Sequence, residues 1–239
     1  MSVERDSSRI PEYLRSFLRL PFVSDAVPGR IVEEVIAYVY DGDVLNTYDY
    51  VDVISSDGIG WQVKSTKADT PLTWKRAKIE GKAQLIEESY KSDNGLRNLG
   101  NEIIKFCNDH AVESMEKYSL KEIRYARCIL HPGDRIQFFE RLVCTKDKPF
   151  IFTKDDFEWR WSKQKNTTKK EQLSALHGIH KVSGQKYWAW HGLGENQLHF
   201  SGEGNWWSDK NNIFECEIDY PTEKEKISFS DFFDGLSKF

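Results

Sequence analysis

Three side chains between Tyr48 and Thr66 have the types and the spacing for metal-assisted chemistry: Asp52, Gln62 and Lys64. Side chains alternate along a strand, so Gln62 and Lys64 point the same way, and pairing residue 52 with 62 or with 64 places Asp52 beside them. Asp49 has the opposite parity and should face away. Carboxylate and amide oxygens can hold Mg²⁺, while an ammonium group can reach a nucleophilic water. The stretch therefore predicts a Mg²⁺ site with a lysine beside it.

Two elements must position these groups. β-Branched and aromatic residues fill 48–54 and 61–66 around the turn residues 55–58, which predicts a hairpin. Before it, Pro28 and Gly29 open a predicted helix whose buried stripe includes Val32 and Ile36. Glu33 flanks that stripe, near enough to a core-facing edge to reach the metal site, whereas Glu34 is expected to be a solvated carboxylate.

The pattern of Asp52, nine intervening residues and then Gln62-Val63-Lys64 resembles the D…(D/E/Q)-x-K signature of the PD-(D/E)xK nuclease superfamily, which includes most type II restriction endonucleases. Gly29 and Glu33 match the Gly-x-x-x-Glu that the family usually places on the preceding helix. The resemblance covers roughly residues 28 to 90.

The resemblance implies in-line hydrolysis of double-stranded DNA, with Mg²⁺ held by Asp52, the Val63 carbonyl and Glu33. Lys64 would orient or deprotonate the attacking water and stabilise charge in the transition state. It also implies a cognate DNA methyltransferase, without direct contact, and leaves monomer and homodimer open.

Gln62 departs from the commonest family pattern, which has Glu or Asp at this position. Its amide still offers one oxygen but removes a charge, which should weaken Mg²⁺ binding and leaves the number of metal ions open. Two alternatives to a restriction enzyme therefore remain. One is a repair or junction nuclease of the same fold, and the other is a non-catalytic DNA-binding module with a decayed site.

The composition of the chain bears on its domain organisation and its location. The chain has 239 residues, 39% hydrophobic content and a net charge of -4. It fits one domain, 1–239, made of a nuclease core, 1–146, and a DNA-recognition elaboration, 147–239. No apolar run is long enough to span a membrane and no secretory signal is evident, so the expected location is the cytoplasm of a prokaryote.

Charge is unevenly distributed along the chain, which keeps a basic DNA-binding cleft open despite the net negative charge. A helix is predicted from Trp74 to Tyr90, preceded by a polar entry and followed by a polar loop over 91–98. Cations in its first half oppose the helix dipole, so contact with DNA phosphates explains them better than helix stability does. These residues are Lys75, Arg76, Lys78 and Lys82.

The last third interleaves aromatic residues with basic and amide residues. Arginine and lysine can pair with guanine, and asparagine or glutamine with adenine, so sequence recognition is placed here. The candidate DNA contacts are Lys163, Lys165, Asn196, Gln197 and His199; His191 is a further candidate for a phosphate or a base. Most of the tryptophans are expected to form a second hydrophobic cluster instead: Trp159, Trp161, Trp188, Trp190, Trp206 and Trp207.

The remaining elements fix the fold class. A long amphipathic helix is predicted from Leu99 to Met115, followed by a hairpin with strands at Glu122 to Leu130 and Arg135 to Cys144. The order helix, helix, hairpin, helix, helix, hairpin predicts an α/β (α+β) protein. Its mixed central sheet is flanked by helices, as in a restriction-endonuclease-like core, and a β-rich, aromatic elaboration follows at the C-terminus.

Overall fold

The structure is a computed structural model that describes residues 7–24, 26–166 and 171–238; the side chains of residues 165, 166, 171 and 172 lie outside the described part. The chain divides into two compact units. The first comprises Met1–Thr70, Ser114–Asp147 and Trp207–Phe239, and the second comprises Pro71–Glu113 and Lys148–Trp206. These units are drawn differently from the predicted segments 1–146 and 147–239, although one of their boundaries, at 147/148, lies one residue from the predicted boundary at 146/147.

The first unit is built on a six-stranded sheet in the order β1-β2-β3-β5-β6-β13. Strands β3 and β5 are parallel, and the other neighbours are antiparallel, so the sheet is mixed. The elements are α1 Ile10–Leu18, α2 Gly29–Tyr40, β1 Gly42–Val44, β2 Val53–Ser55, β3 Ile59–Lys67, β5 Glu122–His131, β6 Arg135–Thr145, β13 Asn212–Asp219 and α5 Phe229–Leu236.

The second unit is built on a five-stranded antiparallel sheet in the order β4-β12-β11-β10-β7, and β8 and β9 form a separate two-stranded sheet. The elements are β4 Leu72–Arg76, α3 Lys82–Lys91, α4 Asp93–Lys117, β7 Phe157–Trp161, β8 Lys165–Asn166, β9 Glu171–Gln172, β10 Leu176–His180, β11 Lys186–Trp190 and β12 Gln197–Phe200. The last residues of α4, from Ser114, belong to the first unit.

The fold class is α+β, as predicted from the sequence. Helix α2 lies where its apolar stripe was predicted. The buried residues of α1 and α2 pack with β3 and β5 in one core, in which Val32 and Ile36 share a cluster with Trp61 and Val63. The hairpin of β5 and β6 also matches its prediction. No helix of the described residues is long and apolar enough to cross a membrane.

Three local predictions were wrong. The strand predicted over 48–54 is replaced by the short β2, which begins only at Val53. The segment from Trp74 to Tyr90 is not one helix, because β4 pairs with β12 and helix α3 begins only at Lys82. The predicted polar loop over 91–98 is the first part of α4, which begins at Asp93. Strand β4 alternates between the buried Leu72 and Trp74 and the exposed Thr73, a pattern that pairing with a distant strand stabilises.

The predicted aromatic cluster forms the core of the second unit. Four of the six tryptophans are buried: Trp159, Trp188, Trp190 and Trp206. Gly178 makes room for this packing, since a Cβ there would lie 2.9 Å from Trp159 and 3.0 Å from Trp188. These four indoles therefore serve as core.

Candidate active site

The register of β2 and β3 brings the predicted chemical groups together. Val53 pairs with Trp61 and Ile54 pairs with Gly60, and Asp52 directly precedes this paired segment. The Asp52 N–H donates to the Trp61 carbonyl at 2.7 Å, which holds the aspartate at the end of the strand pair. The strand pairing ends at Val53, so the pairing of residue 52 with 62 or with 64 stays a prediction.

The Asp52 carboxylate is fixed by the facing strand. Its Oδ2 accepts a hydrogen bond from the Val63 N–H at 2.7 Å and lies 3.7 Å from Lys64 Nζ. A charge-assisted bond from a backbone amide orients a carboxylate strongly. The other oxygen, Oδ1, takes part in no hydrogen bond with the described residues, and the Lys64 amine likewise donates none.

Gln62 is 2% exposed, and its Oε1 has no hydrogen-bond partner among the described residues. Leaving a buried amide oxygen unsatisfied costs about 1–3 kcal/mol. Such an atom calls for an explanation, and a cation ligand or a bound water would satisfy it.

Glu33 lies on α2 with its side chain 20% exposed. Burial and the negative charge of Asp52 raise the pKa of Glu33, while Arg30 and Lys64 oppose that shift. Arg30 is mainly engaged elsewhere, because its guanidinium lies 2.7 Å from Glu34 and 3.9 Å from Glu33. Glu34 is thus an exposed helix carboxylate in an ion pair, as the sequence suggested, and Glu33 shares the electrostatic field of Asp52.

These oxygens suit a hard divalent cation. Gln62 Oε1 is buried without a hydrogen-bond partner among the described residues, Asp52 Oδ1 is not held by a protein hydrogen bond there, and Glu33 is a carboxylate in the field of Asp52. Mg²⁺ takes oxygen ligands while keeping several waters. Among residues 7–24, 26–166 and 171–238 no group of three or more His, Cys, Asp or Glu side chains is placed to hold a metal ion. The candidate site therefore has two carboxylates and an amide, and the Val63 carbonyl stays a predicted ligand.

Asp49 is committed to different partners. Its Oδ2 accepts hydrogen bonds from Lys117 Nζ at 2.8 Å and from the Tyr118 hydroxyl at 2.5 Å. These bonds lower the pKa of Asp49 to about 2. The parity argument that set Asp49 aside in favour of Asp52 agrees with this arrangement.

A buried polar network lies on the other side of β3, and the sequence did not reveal it. Glu140 is fully buried and accepts hydrogen bonds from the Tyr40 hydroxyl at 2.9 Å and from Trp61 Nε1 at 3.1 Å. Arg124 lies 3.7 Å from the same carboxylate. The network joins α2, β3, β5 and β6, so it fixes the helix that carries Glu33 relative to the strand that carries Gln62.

The four basic residues predicted to line one helix are placed differently. Lys75 and Arg76 lie on β4, Lys78 follows in an irregular segment, and Lys82 begins α3. The Lys75 amine is buried, and its charge acts on Cys107 and His110 of α4, so it faces the interior of its unit. Arg76 and Lys78 are exposed.

The side chains of Lys82 and Asn196 are hydrogen-bonded to each other. Lys82 Nζ donates to Asn196 Oδ1 at 3.0 Å and to the Gly192 carbonyl at 2.9 Å. Asn196 has a left-handed backbone, with φ of 58°, so it shapes the turn before β12. Both residues, predicted as DNA contacts, hold a loop in place.

Gln197 and His199 share one face of β12, with Gln197 Oε1 3.3 Å from His199 Nε2. Gln197 lies directly opposite Arg76 on β4, so three predicted DNA contacts adjoin. Lys163 is exposed in the segment after β7, while the side chain of Lys165 lies outside the described residues.

The same face carries two residues that the sequence reasoning missed. Arg160 on β7 pairs with His177 on β10, and His177 pairs with Ala189 beside His199. The alternation of Phe157, Glu158, Trp159 and Arg160 carried a signal, since it separates buried aromatic residues from exposed charged ones.

Comparison with known proteins adds no relative: no family model, no curated protein and no solved structure matches the chain.

Proposed function

We propose that the chain is a sequence-specific, Mg²⁺-dependent endonuclease of the type II restriction class, hydrolysing phosphodiester bonds of double-stranded DNA. The observation that carries the proposal is the approach of Lys64 Nζ to Asp52 Oδ2, 3.7 Å apart, with Gln62 two residues before Lys64 on the same face of β3. The mixed sheet flanked by helices supports it, because it is the core that the sequence resemblance implies. Such an enzyme would work in the cytoplasm of a prokaryote.

Each residue would have a defined task. Asp52, Gln62 and Glu33 would hold the Mg²⁺ ion, with the Val63 carbonyl as a further ligand. Bound there, the ion supplies polarisation of the phosphate and activation of water. The Val63 N–H fixes the Asp52 carboxylate, so the ligand does not reorient when substrate arrives.

Lys64 is placed to act on the substrate. Its Nζ lies 3.7 Å from Asp52, which is near enough for attraction and too far for a direct hydrogen bond. Its N–H groups therefore remain available to orient a water and to donate to a phosphate oxygen as negative charge develops there.

Incubation with bacteriophage DNA in Mg²⁺ or in EDTA tests the proposal. Discrete fragments that require Mg²⁺ are expected; a smear would indicate a nonspecific nuclease. Lys64→Ala should abolish cleavage while leaving DNA binding intact, and Lys67→Ala, three residues further along β3, serves as the matched control. Unchanged cleavage by Lys64→Ala would overturn the site assignment.

One observation favours the alternative of a non-catalytic DNA-binding module: the site has an uncharged amide at Gln62 and only two carboxylates among the described residues. A gel shift without cleavage, at any Mg²⁺ concentration, would select that alternative.

A further inference from the structure

The register of the second sheet fixes two rows of residues that cross all five strands on opposite faces. One row is buried and apolar: Leu72, Phe200, Trp188, Gly178 and Trp159. The other row is mostly polar: Thr73, His199, Ala189, His177 and Arg160. The sheet is therefore strongly two-sided.

Both helices of the second unit contact the buried face. Gly100 of α4 lies against the Trp159 indole, where a Cβ would come within 2.3 Å of the ring. Ser89 of α3 accepts a hydrogen bond from Trp161 Nε1 at 3.0 Å, and Tyr90 stacks on the same indole at 5.0 Å. The polar row thus lies on the face away from these helix contacts.

Two arginines give this face a positive character. Arg76 and Arg160 are exposed, and neither forms an ion pair with the described residues. Unpaired guanidinium groups are suited to bidentate contacts with phosphate or guanine. Glu158 lies on the same face, two residues before Arg160 on β7, and its negative charge weakens the binding of an anionic partner.

We propose that this polar face binds duplex DNA directly. It is defined by Thr73, Arg76, Arg160, His177, Gln197 and His199. The choice of duplex DNA rests on the proposed function, whereas the location of the surface rests on the register and the charge. The contact surface is thus a sheet face, not the basic helix that the sequence predicted.

The sheet is wider than the major groove of DNA, so the two sides of the polar face must have different roles. Four inter-strand spacings of about 4.8 Å separate β4 from β7, or about 19 Å, which exceeds the roughly 12 Å width of the major groove. Arg76 and Arg160 lie on these outermost strands, so they cannot both enter one groove. At least one of them contacts the phosphate backbone.

Base recognition is assigned to the edge pair of strands, β4 and β12, which we call the reading element. A two-stranded ribbon fits the major groove, and here Arg76 lies directly opposite Gln197 with His199 two residues further along. Arginine recognises guanine and glutamine recognises adenine by paired hydrogen bonds. Arg160, on the far strand, is left for the phosphates.

Binding in EDTA tests the surface apart from catalysis. Fluorescence anisotropy with a random-sequence duplex measures affinity across a salt series. Arg160→Ala should weaken binding about threefold to tenfold and reduce the salt slope by about one. Glu158→Gln should strengthen binding. Lys105→Ala removes the same charge from the solvent side of α4, where Lys105 pairs with Asp109 at 2.6 Å, and should leave binding unchanged.

Selection of bound sequences from a random duplex pool tests the reading element. Gln197→Ala should change the sequence that is selected, whereas Arg160→Ala should leave it unchanged. Equal effects of Arg160→Ala and Lys105→Ala, or tighter binding of single strands or RNA than of duplex, would overturn the surface. If the wild type cuts DNA but these variants bind normally, only this inference fails. If the variants behave as described and no cleavage occurs, only the proposed function fails.

Discussion

Asp49 and Asp52 lie three residues apart and point to separate partners, Asp49 to Lys117 and Tyr118 and Asp52 to the Val63 N–H and Lys64. This pair provides an internal control for the active site. Asp52→Asn should reduce Mg²⁺-dependent cleavage on the order of 100-fold or more, because it removes a ligand charge. Asp49→Asn should keep the wild-type cleavage rate, measured on plasmid DNA at saturating Mg²⁺. A loss in Asp49→Asn equal to that in Asp52→Asn, with both proteins folded, would contradict the assignment.

Asp49 should also make stability depend on pH. Its pKa is lowered to about 2 by the bonds from Lys117 and Tyr118, so its stabilisation is present above the ordinary aspartate value and is lost as the pH falls towards 2. At pH 6, Asp49→Asn should cost at most about 1 kcal/mol, since the pair is partly exposed. Urea unfolding at pH 6 and near pH 2.5 measures the difference, which should shrink at the lower pH. A difference that grows there would contradict the ion pair.

Gln62 should show opposite effects on stability and on activity. Its buried Oε1 has no hydrogen-bond partner in the described part of the chain, so Gln62→Met should raise the free energy of unfolding without metal by about 1 kcal/mol or more. The same change should abolish cleavage, because an oxygen ligand is lost. Thermal unfolding in EDTA and a cleavage assay in Mg²⁺ check the two signs. Stabilisation with full activity would remove Gln62 from the site.

Adding a negative charge at position 62 gives a separate test. Gln62→Glu adds a carboxylate beside Asp52 and Glu33, which should lower the Mg²⁺ concentration for half-maximal cleavage by about tenfold. It should also destabilise the metal-free protein, since it buries an uncompensated charge. A Mg²⁺ titration of the initial cleavage rate, beside unfolding in EDTA, measures both. An unchanged Mg²⁺ requirement would show that residue 62 does not face the metal.

Glu140 should be a stability residue of the first unit. Glu140→Ala leaves the Tyr40 hydroxyl, the Trp61 indole and the Arg124 guanidinium without their buried acceptor, and should cost about 3–5 kcal/mol. Tyr40→Phe removes only one donor and should cost about 1.5–3 kcal/mol. Urea unfolding of both variants checks the order, and equal costs would argue against a shared network.

The active-site stretch was predictable because its information is local. Alternation along the predicted hairpin selected Asp52 over Asp49, and the apolar stripe of α2 placed Glu33 beside the sheet. Gln62 could be identified as a site residue from the sequence. Its burial without a hydrogen-bond partner among the described residues could not be predicted, because it depends on packing by distant segments. The Glu140 network was equally inaccessible, because it joins residues 100 apart in sequence.

The basic segment was misread because its partner is far away. Residues 70–73 resemble a helix start, and the alternation in Leu72, Thr73 and Trp74 is too short to decide between helix and strand. Pairing with β12, more than 100 residues later in the chain, makes the segment a strand. That pairing turns Lys75 inward and Arg76 outward, a difference that no helical pattern contains.

Affinity for duplex DNA should rise as the pH falls, because two histidines adjoin on the polar face. The rings of His191 and His199 are 4.8 Å apart. Partial burial lowers the pKa of both histidines, Lys186 lowers it further, and His191 adds to the effect on His199. Both rings are therefore neutral near pH 7, and protonation below the usual histidine range adds positive charge to the proposed DNA-binding face.

His199→Gln should flatten this dependence, measured by anisotropy in EDTA between about pH 7.5 and about pH 5.5. Other charged groups near the pair are Arg76 on β4 and Glu195 before β12. The whole chain also gains positive charge below pH 7, since its pI is about 5.9, so the wild type alone proves little. His110→Gln is the matched control, because His110 is a half-buried histidine of α4 with a lowered pKa. A pH dependence that survives His199→Gln as fully as His110→Gln would place the DNA elsewhere.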